Sequence, residues 1–571
     1  MSKITVTKIL FFIFSFCFSV LTLHSQIVST PTGSDSTCVA GVSFYQRVYG
    51  GNKDEFGYYS APSPDSGYVI AGKTKSFGNG GYDGLLMKVN KRGNVVWSKA
   101  FGGSGDDDLV EVKRTSDNGY IACGNTRSYG SIQGDAWLIK VDASGNLEWS
   151  KKYGDGNTDG QLGFDVVQLS DGGYAFCGLY RWAGGGGGVS QSFVVRTDGQ
   201  GNVIWSKQHS ISGASDDAYG IMEDGNFLVV TGLYNGGSSY MDGYVMKLDK
   251  TNGAVQWIKR YDAEGRSTWF GKVAKTSTGY QVRSTITDNF SDQNQQLCIW
   301  NLNTDGTVQN VRKLVIPGIW NISVGWYPQD DGGFIVANGE NSNNSDVILS
   351  KINANGTVEW SKKYPRAGRQ NIYSIRPSVE GGYFILGNNN NAGTLSDSSN
   401  VYMMRVDSSG NGGVCSGIST NDVTVVTPSY VSATITSPQS DVVITNPVIT
   451  IGAVNAAIVT NTLCFYCQPL PTGIQRAISN QITQHVLRVY PNPVISGTIN
   501  LSIEASYDDQ AMISVVDIYG NTLISLAPKE IKKGQNLIQL NQLYRLRNFS
   551  NYFVVIQYRN YSDAAKIFFI K

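Results

Sequence analysis

The 571-residue sequence offers few side chains of the kinds that usually carry chemistry, and their spacing narrows the options further. Histidine occurs three times, at His24, His209 and His485, each far from the others in the chain. That scarcity argues against a Ser-His-Asp relay or a histidine-built metal centre, and no cofactor is expected. Cys464-Phe465-Tyr466-Cys467 has the spacing of a redox pair. It lacks the strand–helix–strand setting that activates such thiols, so a structural thiol or disulfide partner is the reading preferred. Asp155-Gly156-Asn157-Thr158-Asp159-Gly160 imitates the opening of a calcium loop, which makes Asp155, Asn157 and Asp159 its candidate ligands. The twelfth position, where such a loop needs a bidentate Glu, is Val166, and an acidic turn is the simpler account. The clusters Asp106–Asp108 and Asp216–Asp217 could supply the paired carboxylates of a glycoside-cleaving site, and they equally suit solvated turns.

These residues hang on a repeat. One phrase returns seven times, as GYVIAG from Gly67, GYIACG from Gly119, GYAFCG from Gly173, GNFLVVTG from Gly225, GYQVRS from Gly279, GFIVANG from Gly333 and GYFILG from Gly382. A period of 49–54 residues accommodates four short strands and their turns, one blade of a β-propeller. Each period reads as an irregular strand, a tight turn, the glycine phrase, a third strand such as DAWLIKV (Asp135–Val141), another tight turn and a Trp-bearing strand. Lys88, Lys140, Arg196, Lys247, Lys351 and Arg405 share one slot of the third strand. Four of them follow an Asp five residues earlier, which predicts a repeated structural pairing. Cys123 and Cys177 share a slot of the second strand and are expected to be small buried thiols.

Trp97, Trp149, Trp205, Trp257 and Trp360 mark the fourth strand, and the same register lands on Tyr45 in VSFYQRVYG (Val42–Gly50). That segment is a fourth strand with no blade before it, while the last repeat stops after VYMMRV (Val401–Val406). The predicted fold is therefore all-β: a seven-bladed propeller over 38–414 whose N-terminal strand closes the last blade. Cys38 and Cys415 flank the closure and are the predicted disulfide, with Cys464 and Cys467 as competing partners. The run Asp-x-x-Gly-Asn-x-x-Trp resembles the tryptophan-docking motif of pyrroloquinoline-quinone-type propellers, and the whole period is similar to bacterial surface-protein propeller repeats. The resemblance implies architecture; the adjacent Cys-Cys pair of the quinone enzymes is missing here, so their cofactor is not implied.

In such a blade the first-to-second and third-to-fourth turns share one face of the ring, and here they are short. The opposite face carries connections of variable length, set with aromatic and Arg side chains. Tyr180, Arg181, Trp182, Tyr234, Tyr240, Arg266, Trp269, Trp320 and Arg369 are the candidate ligand-binding residues, because variable loops on a rigid scaffold are where binding usually resides.

The ends of the chain carry an address. Lys3 and Lys8 precede an apolar run from Ile9 to Leu23, predicting a signal peptide over 1–25 and no membrane-spanning helix in the mature chain. Seven cysteines remain after that cut, in a compartment where disulfides form. Residues 415–484 are rich in Thr, Val and Pro and read as extended linker or extra strand. Residues 485–571 read as a small antiparallel β-sandwich, through TINLSI, ISVVDIYGN, LIQLNQL, YFVVI and KIFFIK.

Within that sandwich, Tyr490-Pro491-Asn492-Pro493, Asp517-Ile518-Tyr519-Gly520-Asn521, the strand beginning at Tyr552 and the basic end at Lys571 closely resemble the type A C-terminal sorting domain of the Bacteroidetes type IX secretion system. One departure is Asn551, which stands where that family usually has Gly before the Tyr. The resemblance implies export through that machinery to the cell surface or the medium. A net charge of +1 with 16% charged residues points away from nucleic acid as a partner. Three functions remain open on the sequence: a non-catalytic module binding a glycan or protein, a secreted polysaccharide-acting enzyme using acidic loop residues, and a structural spacer.

Overall fold

The computed structural model describes residues 43–567 except for 155–158, 182–189, 212–214, 236–239, 289–294, 316–323, 340–345, 365–368, 379–380, 391–398 and 413–418 within the repeats, and the stretches between the later strands. Among the described residues the repeats form seven four-stranded antiparallel sheets, numbered here as blades 1 to 7 from Glu55 onward. Blade 1 is typical: Glu55–Pro62, Tyr68–Thr74, Asp83–Val89 and Val95–Gly102, in that order from the axis outward. Its second and third strands are buried on both faces, which is why they read as unbroken apolar runs. The fourth strand alternates and leaves Val96 half exposed.

Blade 7 has three strands of its own, and Ser43–Gly50 completes it, pairing antiparallel with Ser399–Val406 from Tyr45↔Arg405 to Tyr49↔Val401. The chain is thus a seven-bladed β-propeller closed by its N-terminal strand, followed by a small antiparallel β-sandwich. One joint is used repeatedly. In five of the seven third-to-fourth turns the left-handed glycine receives the fourth-strand Trp of the preceding blade, and in blade 6 Gly356 meets Arg312 instead. Trp97 packs on Gly145, Trp149 on Gly201, Trp205 on Gly253, Trp257 on Gly306 and Trp360 on Gly410. Tyrosines of three of those strands add a hydrogen bond: Tyr153 donates to the Gly201 carbonyl at 2.8 Å, Tyr261 to that of Gly306 at 2.6 Å, and Tyr364 to that of Gly410. At the closure Tyr45 packs on Gly93 and Tyr49 donates to its carbonyl at 2.6 Å, so the seam is built like the other joints.

Four of the third-strand cations pair with the Asp of the first tight turn rather than with an Asp five residues back, while Lys351 meets Glu359 at 2.8 Å. Lys88 meets Asp65 at 2.9 Å, Lys140 meets Asp117 at 2.8 Å and Lys247 meets Asp224 at 3.1 Å. The expected partners take cations of the fourth strand instead: Asp135 holds Lys152 and Asp242 holds Arg260. The pleat explains the exchange, since in each blade the two groups sit at opposite ends of the third strand. Cys123, Cys177 and Cys298 are buried thiols, and burial pushes their pKa up. Cys38 and Cys415 lie outside the described residues.

Between 419 and 467 the chain adds a fifth, outermost strand to six blades, running back around the ring. Ser419–Thr420 joins blade 6, Thr424–Val426 blade 5, Tyr430–Ile435 blade 4, Gln439–Asp441 blade 3, Gly452–Asn455 blade 1 and Val459–Cys467 blade 7. A Thr- and Val-rich chain suits this role, because each fourth strand otherwise presents a row of unpaired backbone groups. The sandwich packs His485–Tyr490, Ile499–Ala505 and Gly534–Leu540 as one sheet. A second sheet is built on Asp509–Asp517 and Tyr552–Tyr558, and Leu501, Ile503, Ile513, Val515, Val554 and Ile556 form the core.

Candidate functional site

The seven first strands line an axial channel, and a repeated irregularity decides what they put into it. In blades 1, 2, 3, 4 and 7 the first strand carries an extra residue opposite the second strand: the register slips between Gly57 and Tyr59, Leu109 and Glu111, Gly163 and Asp165, Ala218 and Gly220, and Ile372 and Ser374. The glycine late in each phrase permits it. A Cβ on Gly72, Gly124, Gly178, Gly232 or Gly387 would collide with a first-strand backbone carbonyl. In blade 5, where Ser284 replaces that glycine, both Gly271 and Lys272 fall out of register.

The slot after the slip therefore reads Tyr59, Glu111, Asp165, Gly220 and Ser374 in blades 1, 2, 3, 4 and 7, and in blade 5 the out-of-register Lys272 takes the corresponding place. Lys272 Nζ lies 2.8 Å from Glu111 Oε2 and 3.2 Å from Asp165 Oδ2, and donates to the Phe164 carbonyl at 3.2 Å. Gly220 makes the crossing possible, since a side chain there would strike the Gly271 carbonyl. Lys113 adds contacts of 3.3 Å to Glu111 and 3.6 Å to Asp165, and the Tyr59 ring lies 4.6 Å from Lys272 Nζ. Burial opposes the charge of Glu111, but Lys113, Lys272 and Arg376 together hold its carboxyl below the usual range. The same two carboxylates hold Lys272 above the usual lysine range against its own burial.

This cluster divides the channel. On the short-turn side a cavity of about 530 Å³ is walled by residues of all seven first strands. On the long-loop side a mouth of about 220 Å³ is lined by Phe164, Tyr219, Trp269 and Phe270. Tyr59, Lys272 and Arg283 border both and form the waist. Phe164 and Tyr219 are neighbouring rings with centroids 5.0 Å apart.

Of the residues expected to bind ligand, Trp269 lines the mouth. Tyr180 donates to Asp159 at 2.7 Å, Arg266 is paired with Asp288, and Tyr234 is buried; these pack the loops. Arg181 and Tyr240 are exposed. Trp182, Trp320 and the side chain of Arg369 lie outside the described residues, as do Asp155 and Asn157 of the calcium candidate, which leaves Asp159 bound to Tyr180. In the sandwich, Tyr490, Asp517 and Tyr552 fall on strands, while 491–493, Gly520 and Lys571 lie outside the described residues.

The acidic clusters tie loops together. Asp107 accepts from Gly103 N at 2.9 Å and Ser128 Oγ at 2.6 Å, Asp216 from Ile211 N at 2.6 Å, and Asp217 from Ser190 Oγ at 2.7 Å and Tyr219 OH at 2.9 Å. Sequence reasoning missed the channel set of Glu111, Asp165, Lys272, Arg283 and Arg376. The available signal was the first strand of each repeat, which is irregular and carries charge where an inner strand should be apolar.

No family model matches the chain, and no curated protein does. Among solved structures it is similar to the quinohemoprotein alcohol dehydrogenase of Comamonas testosteroni, at 9% identity over 62% of this chain and 75% of that one, with a TM-score of 0.32. It is also similar to a protein of unknown function from Dyadobacter fermentans, at 12% identity over 63% and 97%, with a TM-score of 0.35. A xylan β-1,4-xylosidase of Bacillus halodurans matches at 8% identity over 69% and 99%, with a TM-score of 0.27.

Proposed function

We propose that the protein is exported and acts at the cell surface or in the medium as a non-catalytic binding module. Its propeller takes a glycan at the long-loop mouth, and its C-terminal sandwich is the sorting domain read by the type IX secretion machinery. The observation that carries the binding reading is the mouth itself. Trp269, Tyr219 and Phe164 supply flat apolar faces around a concave opening, with Lys272 and Arg283 bordering its floor. The export reading is supported by the basic-then-apolar N-terminus and by the ordered C-terminal motifs. Against an enzyme of the polysaccharide-cleaving kind stand the loop carboxylates already engaged by backbone and hydroxyl donors, and Glu111, held ionised by its lysines and thus no proton donor at neutral pH.

The test is a glycan array probed with the mature full chain, with and without calcium. Retention of a glycan, lost in Trp269→Ala and reduced in Tyr219→Ala, is expected. Silence across the array, or binding indifferent to both substitutions, overturns the glycan reading.

A further inference from the structure

The long-loop mouth owes its shape to the bulges of the inner strands. In blades 2, 3 and 4 the residues that the register skips are Val110, Phe164 and Tyr219, and all three line the mouth. In blade 5 one of the two skipped residues is Gly271, so the collar has no side chain where its neighbours carry a ring or a Val. That gap lies two residues along the strand from Trp269. The surrounding rings are fixed in place: Tyr219 donates to Asp217 at 2.9 Å, and the Phe164 carbonyl accepts from Lys272 at 3.2 Å.

Thr285 lines the same mouth, directly across the first two strands of blade 5 from Trp269. Its slot has another use elsewhere in the ring. In blades 2 and 7 the residue there spends its side-chain oxygen on the next blade: Asn125 accepts from Gly163 N and Asn388 from Gly57 N, each at 2.8 Å. Thr285 Oγ1 has no hydrogen-bond partner among the described residues, although Thr285 is only 4% exposed. A buried hydroxyl normally finds a partner, and one that faces a pocket can both donate to and accept from a ligand hydroxyl. Below it, Lys272 crosses from blade 5 to Glu111 of blade 2 and Asp165 of blade 3, which bars the axis and makes the mouth a blind pit. Two carboxylates already match that lysine. The pit holds about 220 Å³, less than the range of about 300–1,000 Å³ usual for sites that enclose a drug-sized ligand, which sizes it for one ring.

We infer that this pit takes a single neutral pyranose at the end of a glycan chain, its apolar face against Trp269 and one hydroxyl paired with Thr285 Oγ1. This rests on the reading of the propeller as a glycan-binding module and adds which part of the glycan is read. A sugar inside a chain needs an exit for each of its two linkages. A terminal sugar needs one, which is all that a pit barred from below provides.

The test is calorimetric titration of the mature full chain with the methyl β-glycosides of glucose, galactose, mannose and xylose, each beside its β-1,4-linked hexamer, and with methyl β-glucuronide. In at least one series the methyl glycoside is expected to bind, with its hexamer within about fivefold of it. Thr285→Val should weaken that glycoside about tenfold, the loss of one hydrogen bond, and Trp269→Ala should abolish its binding. Because the hydroxyl has no protein partner, Thr285→Val should melt at or above the temperature of the parent, which separates a lost ligand contact from a damaged fold. Gly271→Leu fills the pit and should abolish binding of glycoside and hexamer alike. A hexamer more than about fivefold tighter than its glycoside, or a glycoside indifferent to Thr285→Val or Gly271→Leu, overturns the end-on pit and leaves the glycan module standing. Methyl β-glucuronide binding tighter than every neutral glycoside overturns the neutral class. Silence of all these probes overturns the inference, and silence on the glycan array as well takes down the module.

Discussion

Replacing Lys272 with Met keeps the length of the side chain and removes the charge that Glu111 and Asp165 share. Both carboxylates are buried, and Lys272 stands 2.8 and 3.2 Å from them. Removing one partner of a buried pair typically costs about 3–5 kcal/mol, because the remaining charge is left without compensation. Lys113 stays within 3.6 Å of both acids and shares the load, which places the loss at the lower end, about 3 kcal/mol. Unfolding entropy of ~2.1 cal/mol/K per residue over roughly 370 propeller residues is about 0.8 kcal/mol/K, so the melting temperature should fall by about 4 °C.

The loss has a pH signature. In the native protein Glu111 is held below its ordinary pKa, so its contribution is present above that ordinary value and disappears as pH falls through the depressed one. In Lys272→Met Glu111 loses one of the cations that hold its carboxyl low, so it takes up a proton at higher pH and sheds the unpaired charge sooner. The gap between the two proteins should therefore be widest at neutral pH and shrink toward pH 4. Calorimetry of the full chain at pH 7 and pH 4 measures both. A shift under 1 °C at pH 7, or an equal shift at both pH values, would refute the account of the channel as an ion-paired floor.

Two further predictions concern stability. Burial pushes the Asp83 carboxyl up to about 7; the Asn79 N–H partly offsets this, and the Asp107 charge adds to it. Since the folded state then binds a proton that the unfolded state releases, stability falls as pH rises from about 4 to 7, and Asp83→Asn should raise the melting temperature at pH 8 while changing little at pH 5. A fragment ending at 414 lacks every outer strand contributed by 419–467, so it should melt lower and aggregate with concentration, whereas one ending at 467 should match the full chain in light scattering and thermal melts. Equal behaviour of the two fragments would mean that the outer strands contribute nothing to the ring.

What the sequence determined by itself is whatever a local period can encode. The glycine phrase, the Trp slot and the turn residues repeat because every blade solves the same problem, so blade number, strand order and the closure by Ser43–Gly50 could be counted from spacing alone. The buried third strand and the thiols at Cys123 and Cys177 follow from the same alternation. The tertiary structure decided what distant blades share. Glu111, Asp165 and Lys272 come from blades 2, 3 and 5 and meet only because the ring brings their first strands to one axis, and because Gly220 leaves the path between them open. No periodicity within one repeat carries that information. The outer strands show the same limit. Their Thr- and Val-rich composition predicts extended chain, but which blade each one joins depends on where the unpaired edges stand once the propeller has closed. Trp269 sits between the two cases: its place among the long connections marked it as a candidate, and the structure puts it on the first strand of blade 5, at the channel mouth.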